Sequence, residues 1–187
     1  MTKFHIQGTG KIVDLTKNNF ITRGGEGDIH KIGDIIYKVT TESKMIPFGK
    51  MTELSQLQHS NIIVPQDIIL KNNTPYGYTM KAVPKNPIPL AKLLPKGYRE
   101  REKIHPKDIW LLVQQMITGI KYIHNQGVNT GDYLQVDGNE LNYMVTSDHK
   151  SVYFIDVNSY QTPTYPADAI MLSIRDWSIK NKNGQLQ

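Results

Sequence analysis

Three side chains able to handle metal and phosphate follow one another late in the chain: Asp132, Asn142 and Asp156. Asn142 directly precedes a short apolar run, Tyr143 to Val145. Thr146 to Lys150 is a polar turn, and Val152 to Val157 is a second run rich in β-branched and aromatic residues. This is the pattern of a β-hairpin. An acid before the hairpin, an amide at its start and an acid at its far end suit a magnesium–nucleotide site. Mg²⁺ takes few protein oxygens and leaves the rest to water and phosphate. In such a site Asp156 chelates the metal, Asn142 holds a second one, and Asp132 faces the hydroxyl that receives phosphate. Asp137, Gly138, Asn139 and Glu140 fill the step from Asp132 to Asn142 and do not match a Ca²⁺ loop.

Two features of the first half could serve the same chemistry. Arg23-Gly24-Gly25-Glu26-Gly27 is a glycine turn between two strand-like runs. A backbone without Cβ can approach phosphates closely and adopt positive φ, although a glycine-rich turn on its own is simply a turn. Lys38 sits in Ile-Ile-Tyr-Lys-Val, at an alternation that can turn it inward. A buried ammonium needs a partner; the plainer reading is a lysine that reaches solvent from a strand end.

Taken in order, these residues resemble the protein-kinase family. That family reads His-Arg-Asp, then Asn, then Asp-Phe-Gly, after a glycine-rich loop and a strand lysine. Here the corresponding residues are Thr130-Gly131-Asp132, Asn142 and Asp156-Val157-Asn158, with Thr22, Gly24 and Gly27 standing for the three loop glycines. The resemblance implies a role for Lys38 on the α- and β-phosphates. It assigns nucleotide contact to Thr22, Gly24, Gly25, Gly27, Ile29, Lys38, Met80, Lys81, Ala82, Val83 and Asn142. It assigns metal to Asn142 and Asp156, and catalysis to Asp132 and Lys38. The glutamate that the family places on a helix to hold the lysine is best matched by Glu53. His59-Ser60-Asn61-Ile62, similar to the family's His-Pro-Asn-Ile, puts that position nearer Lys50, and Glu42 is a further candidate. Gly131 replaces the motif arginine, so control by a phosphorylated activation loop is not expected. The resemblance covers roughly residues 20 to 160.

The elements that would position these groups are readable. Phe20 to Val39 reads as strand, glycine turn, strand, tight Gly33-Asp34 turn, strand. Residues 47–58 suit a short helix with Pro47 in its first turn. Strands are expected over Ile62 to Val64, Asp67 to Leu70 and Tyr78 to Val83, and a weaker one over Lys11 to Leu15. Residues 84–107 read as a Pro- and Lys-rich connection with a small helix near Ile88 to Leu94. A long helix opens at Pro106 and is stopped by Gly127, its apolar positions recurring at three- and four-residue steps from Ile109 to Ile123. A last short helix is expected over Ala167 to Trp177, before a polar tail. The expected fold class is therefore α+β: a kinase-like bilobal chain, with a β-rich lobe over 1–83 and a reduced, mainly helical lobe over 84–187.

Composition narrows the setting. The chain has 187 residues, 39% of them hydrophobic, no cysteine and a net charge of +5. Disulfides and thiolate metal sites are excluded, and no run has the length of a membrane span. The first residues lack the apolar core of a signal peptide. A soluble cytoplasmic protein is the expectation. The basic residues are scattered, and the cluster from Lys96 to Lys107 also carries acids, which points away from nucleic acid. The expected function is Mg-ATP-dependent phosphoryl transfer to a hydroxyl, on Ser/Thr of a protein substrate. Three alternatives stay open: a small-molecule phosphotransferase, a non-catalytic module with a nucleotide site, and a piece of a longer kinase. The oligomeric state is not readable.

Overall fold

Alternating apolar residues and tight turns make the first half of the chain a sheet. The computed structural model describes residues 2–40, 44–129, 131–135 and 137–167. β1 (Thr2–Ile6) and β2 (Ile12–Leu15) form a hairpin. β3 (Phe20–Arg23), β4 (Gly27–Ile32) and β5 (Ile35–Thr40) form a meander. After α1 (Phe48–Leu54), β6 (Pro65–Lys71) and β7 (Thr74–Lys81) pair across a turn at Asn72 and Asn73. Both asparagines sit at positive φ, 50° and 63°, which their side chains tolerate better than most. The strands join in one antiparallel seven-stranded sheet, in the order β2-β1-β6-β7-β5-β4-β3.

Register fixes which side chains meet. In β5, Lys38 lies between Ile29 of β4 and Tyr78 of β7. Neighbouring Tyr37 points to the opposite face, where it packs with Phe4, Ile6, Leu15 and Ile69. The β1–β2 hairpin therefore closes one face of the curled sheet, and Lys38 looks out of the other. Gly27, at the start of β4, allows close strand contact: a Cβ there would lie 2.2 Å from the carbonyl oxygen of Val39.

The second half is built on a smaller sheet. β8 (Ile88–Pro89), β9 (Tyr143–Val145) and β10 (Val152–Phe154) pair in the order β10-β9-β8. Between β8 and β9 come α2 (Lys96–Arg101) and α3 (Pro106–His124). Pro106 and Asp108 open α3, and Lys121 and His124 lie in its last turn, each suited to the helix dipole or its unpaired ends. α3 rests directly on the hairpin: a Cβ on Gly119 would come within 2.4 Å of the Phe154 ring. One core runs through Leu54 and Leu57, Tyr78, Leu112 and Ile123 of α3, and Tyr133, Tyr143, Val145, Phe154 and Tyr160. It joins the underside of the large sheet to the small one.

Several elements differ from the sequence expectation. β1 lies where the first residues gave only weak signals. α1 ends at Leu54, short of 58. Ile62 forms a single parallel bridge to Phe154 rather than a strand. Residues 88–93 form β8 and a 3-10 turn, and α2 follows where a solvated loop was expected. On α3, Leu112 and Ile123 are buried, while Val113 and Ile117 are exposed beside Trp110 and Leu111. Among the described residues no helix is long and apolar enough to cross a membrane. The helix expected over Ala167 to Trp177 falls outside the described residues from 168 onward.

Candidate active site

A cavity of about 520 Å³ opens between the glycine turn, the β5 and β7 face, the segment after β7, and the β9–β10 hairpin. That is within the usual range for a small-molecule site. Its lining includes Thr22, Gly24, Gly25, Gly27, Ile29, Lys38, Met80, Lys81, Ala82, Val83, Asn142 and Asp156. The sequence-selected residues thus meet in one place, with the exception of Asp132. Ile36, Ile63, Met144 and Ile155 add an apolar surface suited to a flat ring. Ala82 has its N–H committed to the carbonyl of Asp34 at 2.8 Å.

Lys38 is the electrostatic centre. Its side chain is 8% exposed, and its Nζ lies 2.6 Å from Glu26 Oε2 and 2.7 Å from Asp156 Oδ1. The Tyr78 ring centroid is 5.7 Å away. Burial opposes the lysine's charge, but Tyr78, Asp156 and Glu26 outweigh it and hold its pKa well above the ordinary value. Glu26 is likewise pushed up by burial and pulled down further by Lys38, Asn158 and Lys44, so its carboxyl stays below the usual range. Burial drives the Tyr78 phenol up to about 12. Tyr78 therefore donates, and its hydroxyl reaches Asn158 Oδ1 at 3.1 Å. Asn158 Nδ2 in turn donates to Glu26 Oε2 at 3.1 Å. A continuous network runs Tyr78–Asn158–Glu26–Lys38–Asp156.

The helix glutamate expected for Lys38 is elsewhere. Glu53 accepts the Thr164 N–H at 3.2 Å, and its carbonyl accepts the Tyr133 hydroxyl at 3.0 Å. Lys50, the other position considered, is buried, with its Nζ 3.5 Å from the Pro166 carbonyl. Glu42 lies outside the described residues.

The hairpin end is held by side-chain bonds. Asp156 sits at φ +59° at the end of β10, the start of a 3-10 turn over Val157–Ser159. Aspartate is among the few residues that visit this region readily, and strained backbone of this kind gathers at functional sites. Asn142 closes a 3-10 turn, and its carbonyl accepts the Ile155 N–H at 2.9 Å, which places it beside Asp156. Its Nδ2 donates to the Asp137 carbonyl at 2.8 Å and to Asp137 Oδ2 at 3.1 Å. Both amide hydrogens are directed at Asp137, and the amide oxygen is left for a ligand. Asp137 Oδ1 also accepts from Asn139 at 2.8 Å.

Asp132 is placed differently. Neither it nor Asp137 is among the residues that line the cavity. Asp132 Oδ2 accepts the Asn129 N–H at 2.8 Å and its own N–H returns to the Asn129 carbonyl at 3.2 Å. It caps the turn after α3. The carboxylate joined to Asn142 is Asp137, five residues before it, the step that the kinase motif has between its aspartate and asparagine.

Among the described residues there is no cluster of three His, Asp or Glu side chains for a metal. Asp156 and the free oxygen of Asn142 nevertheless fit Mg²⁺, which binds one or two carboxylates and takes its other ligands from water and phosphate.

No family model matches the sequence, and no curated protein matches it. Solved structures do. The pseudokinase domain of BIR2, described as an immune regulator of the RLK/Pelle family, superposes with a TM-score of 0.57 at 14% identity, over 92% of this chain and 57% of that one. The fold is kinase-like. At that identity the likeness extends to the fold alone, and the chain spans little more than half the length of the neighbour's. The mixed α+β architecture with a curled antiparallel sheet and a small helical part agrees with the class expected from the sequence.

Proposed function

We propose that the cavity binds ATP with Mg²⁺ and that the protein transfers phosphate to a hydroxyl, on Ser/Thr of a protein substrate. The observation that carries this is the meeting of Lys38, Asp156 and Asn142 in one largely apolar cavity that Lys81, Ala82 and Val83 also line. In this reading Thr22 to Ile29 cover the nucleotide and exclude water. Met80 flanks the base. Lys38 offsets phosphate charge, and Asp156 with Asn142 would hold the metal, which supplies the remaining counter-charge. Asp137, fixed by Asn142 and Asn139, orients the acceptor hydroxyl and takes its proton; Asp132 supports the loop. Phosphoryl transfer asks mainly for such positioning and charge compensation. The nucleotide would lie between residues 1–83 and 84–187, and the protein would act in the cytoplasm, where Mg-ATP is supplied.

The test is transfer of labelled γ-phosphate to a generic acceptor protein, with Asp156→Ala, Asp137→Asn and Asp132→Asn alongside. Label lost with Asp156→Ala, reduced about 10²–10⁴-fold with Asp137→Asn, and retained with Asp132→Asn is the expected result. Label that survives Asp137→Asn and disappears with Asp132→Asn would restore the motif assignment read from the sequence.

A second reading is a nucleotide-binding module without transfer. It is favoured by the engagement of Lys38 with two carboxylates and by a structural neighbour that is itself a pseudokinase domain. ATP that raises the melting temperature while no label moves would select it.

A further inference from the structure

The partner of Lys38 sits on the turn that covers the site, and that placement has consequences of its own. A lysine ammonium has three N–H donors. Glu26 and Asp156 take two of them, and the Tyr78 ring closes a third side. A phosphate reaching Lys38 must displace one of these groups. Tyr78 is fixed in β7 between two neighbouring strands and tied to Asn158. Asp156 is anchored by the hairpin and is the metal-binding carboxylate of the proposed function. Glu26 stands between Gly25 and Gly27 at the tip of the β3–β4 turn. Its side chain is 44% exposed, and a Cβ on Gly25 would meet nothing within 4 Å. Glu26 is the partner that can leave.

Charge sets the terms of that exchange. Lys38 faces two carboxylates, so its own charge is already offset before any ligand arrives, while Lys44 acts on Glu26 and Lys31 and Lys81 line the same cavity. A bare polyphosphate that displaces Glu26 still meets like charge, the Asp156 carboxylate beside Lys38. A polyphosphate accompanied by a divalent cation does not, because the cation offsets Asp156.

Resting on the nucleotide reading above, we propose that Glu26 is a built-in occupant of the phosphate subsite: its carboxylate holds Lys38 in the ligand-free protein and yields it to an incoming phosphate, so that the site admits metal-bound polyphosphates and rejects metal-free ones. Asn158 keeps the displaced-anion position ready by holding Glu26 from the far side. Lys44, which donates to the Gly25 carbonyl at 2.8 Å, holds the turn down over it.

The experiment is calorimetric titration of the full chain and of Glu26→Gln and Glu26→Ala with inorganic tripolyphosphate and with ATP, each with Mg²⁺ and with chelator. The parent is expected to bind both probes with Mg²⁺ and neither without. Glu26→Gln is expected to gain metal-free tripolyphosphate binding by about tenfold or more, narrowing the dependence on metal, and Glu26→Ala is expected to follow it. Binding that weakens in both variants would make Glu26 a permanent counter-ion of Lys38 and overturn the proposal. ATP binding with metal that neither variant alters, and no gain without metal, would retire the role of Glu26 and leave the nucleotide reading standing. A gain in tripolyphosphate binding with ATP no better than tripolyphosphate would do the reverse. Absence of binding of either probe to any of the three folded proteins would overturn both.

Discussion

The two walls of the cavity are held by different forces. The sheet wall, from Thr22 to Val83, is set by strand register. Lys38 is where it is because β5 pairs on both sides, with Ile29 and Tyr78 as its neighbours. The hairpin wall has strands of three residues only. Its groups are placed largely by side chains: Asn142 by Asp137, and Asn158 by Glu26 and Tyr78 across the gap. A register is redundant, since many bonds specify one arrangement. A side-chain network is not, and a single substitution can undo it. Function on the hairpin side should therefore be more fragile than on the sheet side.

That contrast can be broken at four points. The largest effect is expected at Phe154. It is 1% exposed, its ring fills the notch left by Gly119, and its backbone exchanges bonds with Asn61 and Ile63. Phe154→Ala should cost about 3–5 kcal/mol in urea unfolding; a loss no larger than that of an exposed substitution would mean that the hairpin is not set by its core. Next is Tyr78→Phe, which leaves buried Asn158 without its donor. About 1–3 kcal/mol is expected, together with weaker ordering of Glu26, and an unchanged melting curve would remove Tyr78 from the network.

The third is a pH effect at the base of the loop. His124 accepts the Gln135 N–H through Nε2 at 3.3 Å. Burial lowers its pKa below the ordinary value. A histidine whose folded pKa is depressed contributes stability fully above its unfolded value of 6.5. That contribution is lost as pH falls below this value toward the folded pKa. The melting temperature should drop in that window, and drop less in His124→Gln. Parallel curves for the two proteins would show that the histidine is not linked to folding. The smallest effect is expected at Lys85, whose bond to Asp148 is between exposed side chains. Lys85→Ala should leave the urea midpoint unchanged within error, as surface ion pairs usually do.

How much of this was legible in the sequence follows the same division. The meander from β3 to β5 could be read to its turns, because alternation and the Gly33-Asp34 dipeptide carry its structure locally. β1 was missed: Phe4 and Ile6 alternate over too few residues to register. α2 was missed because Lys-Gly-Tyr-Arg-Glu-Arg has no apolar stripe and buries nothing. In the loop after α3 no period exists, so spacing alone has to index the polar residues, and the sequence does not show that Asp137 is the acid bonded to Asn142. Glu26 escapes the sequence reading because the resemblance puts the partner of Lys38 on a helix. The hairpin brings the turn back over Lys38, and α1 presents a buried lysine instead. Departures that look separate in sequence, Glu26 in the glycine turn and Asn158 in place of glycine, come together around one ammonium, while Lys50 stands on α1 near the position where the glutamate was expected.

The small sheet also bears on how fast anything can enter or leave. Residues 84–87 link the two walls on that side, and β8 is already paired to β9 at Ile88 and Pro89. Ser147 holds the Lys85 carbonyl at 3.1 Å, and Lys85 and Asn86 occupy left-handed backbone, at φ 57° and 43°. On the opposite side Asn61 and Ile63 bond the Phe154 backbone. Stitched along both edges, the walls have little room to swing apart. For the nucleotide proposed above, exit would then be gated by the glycine turn, whose loop motion belongs to the nanosecond-to-microsecond range, rather than by hinge motion of whole lobes.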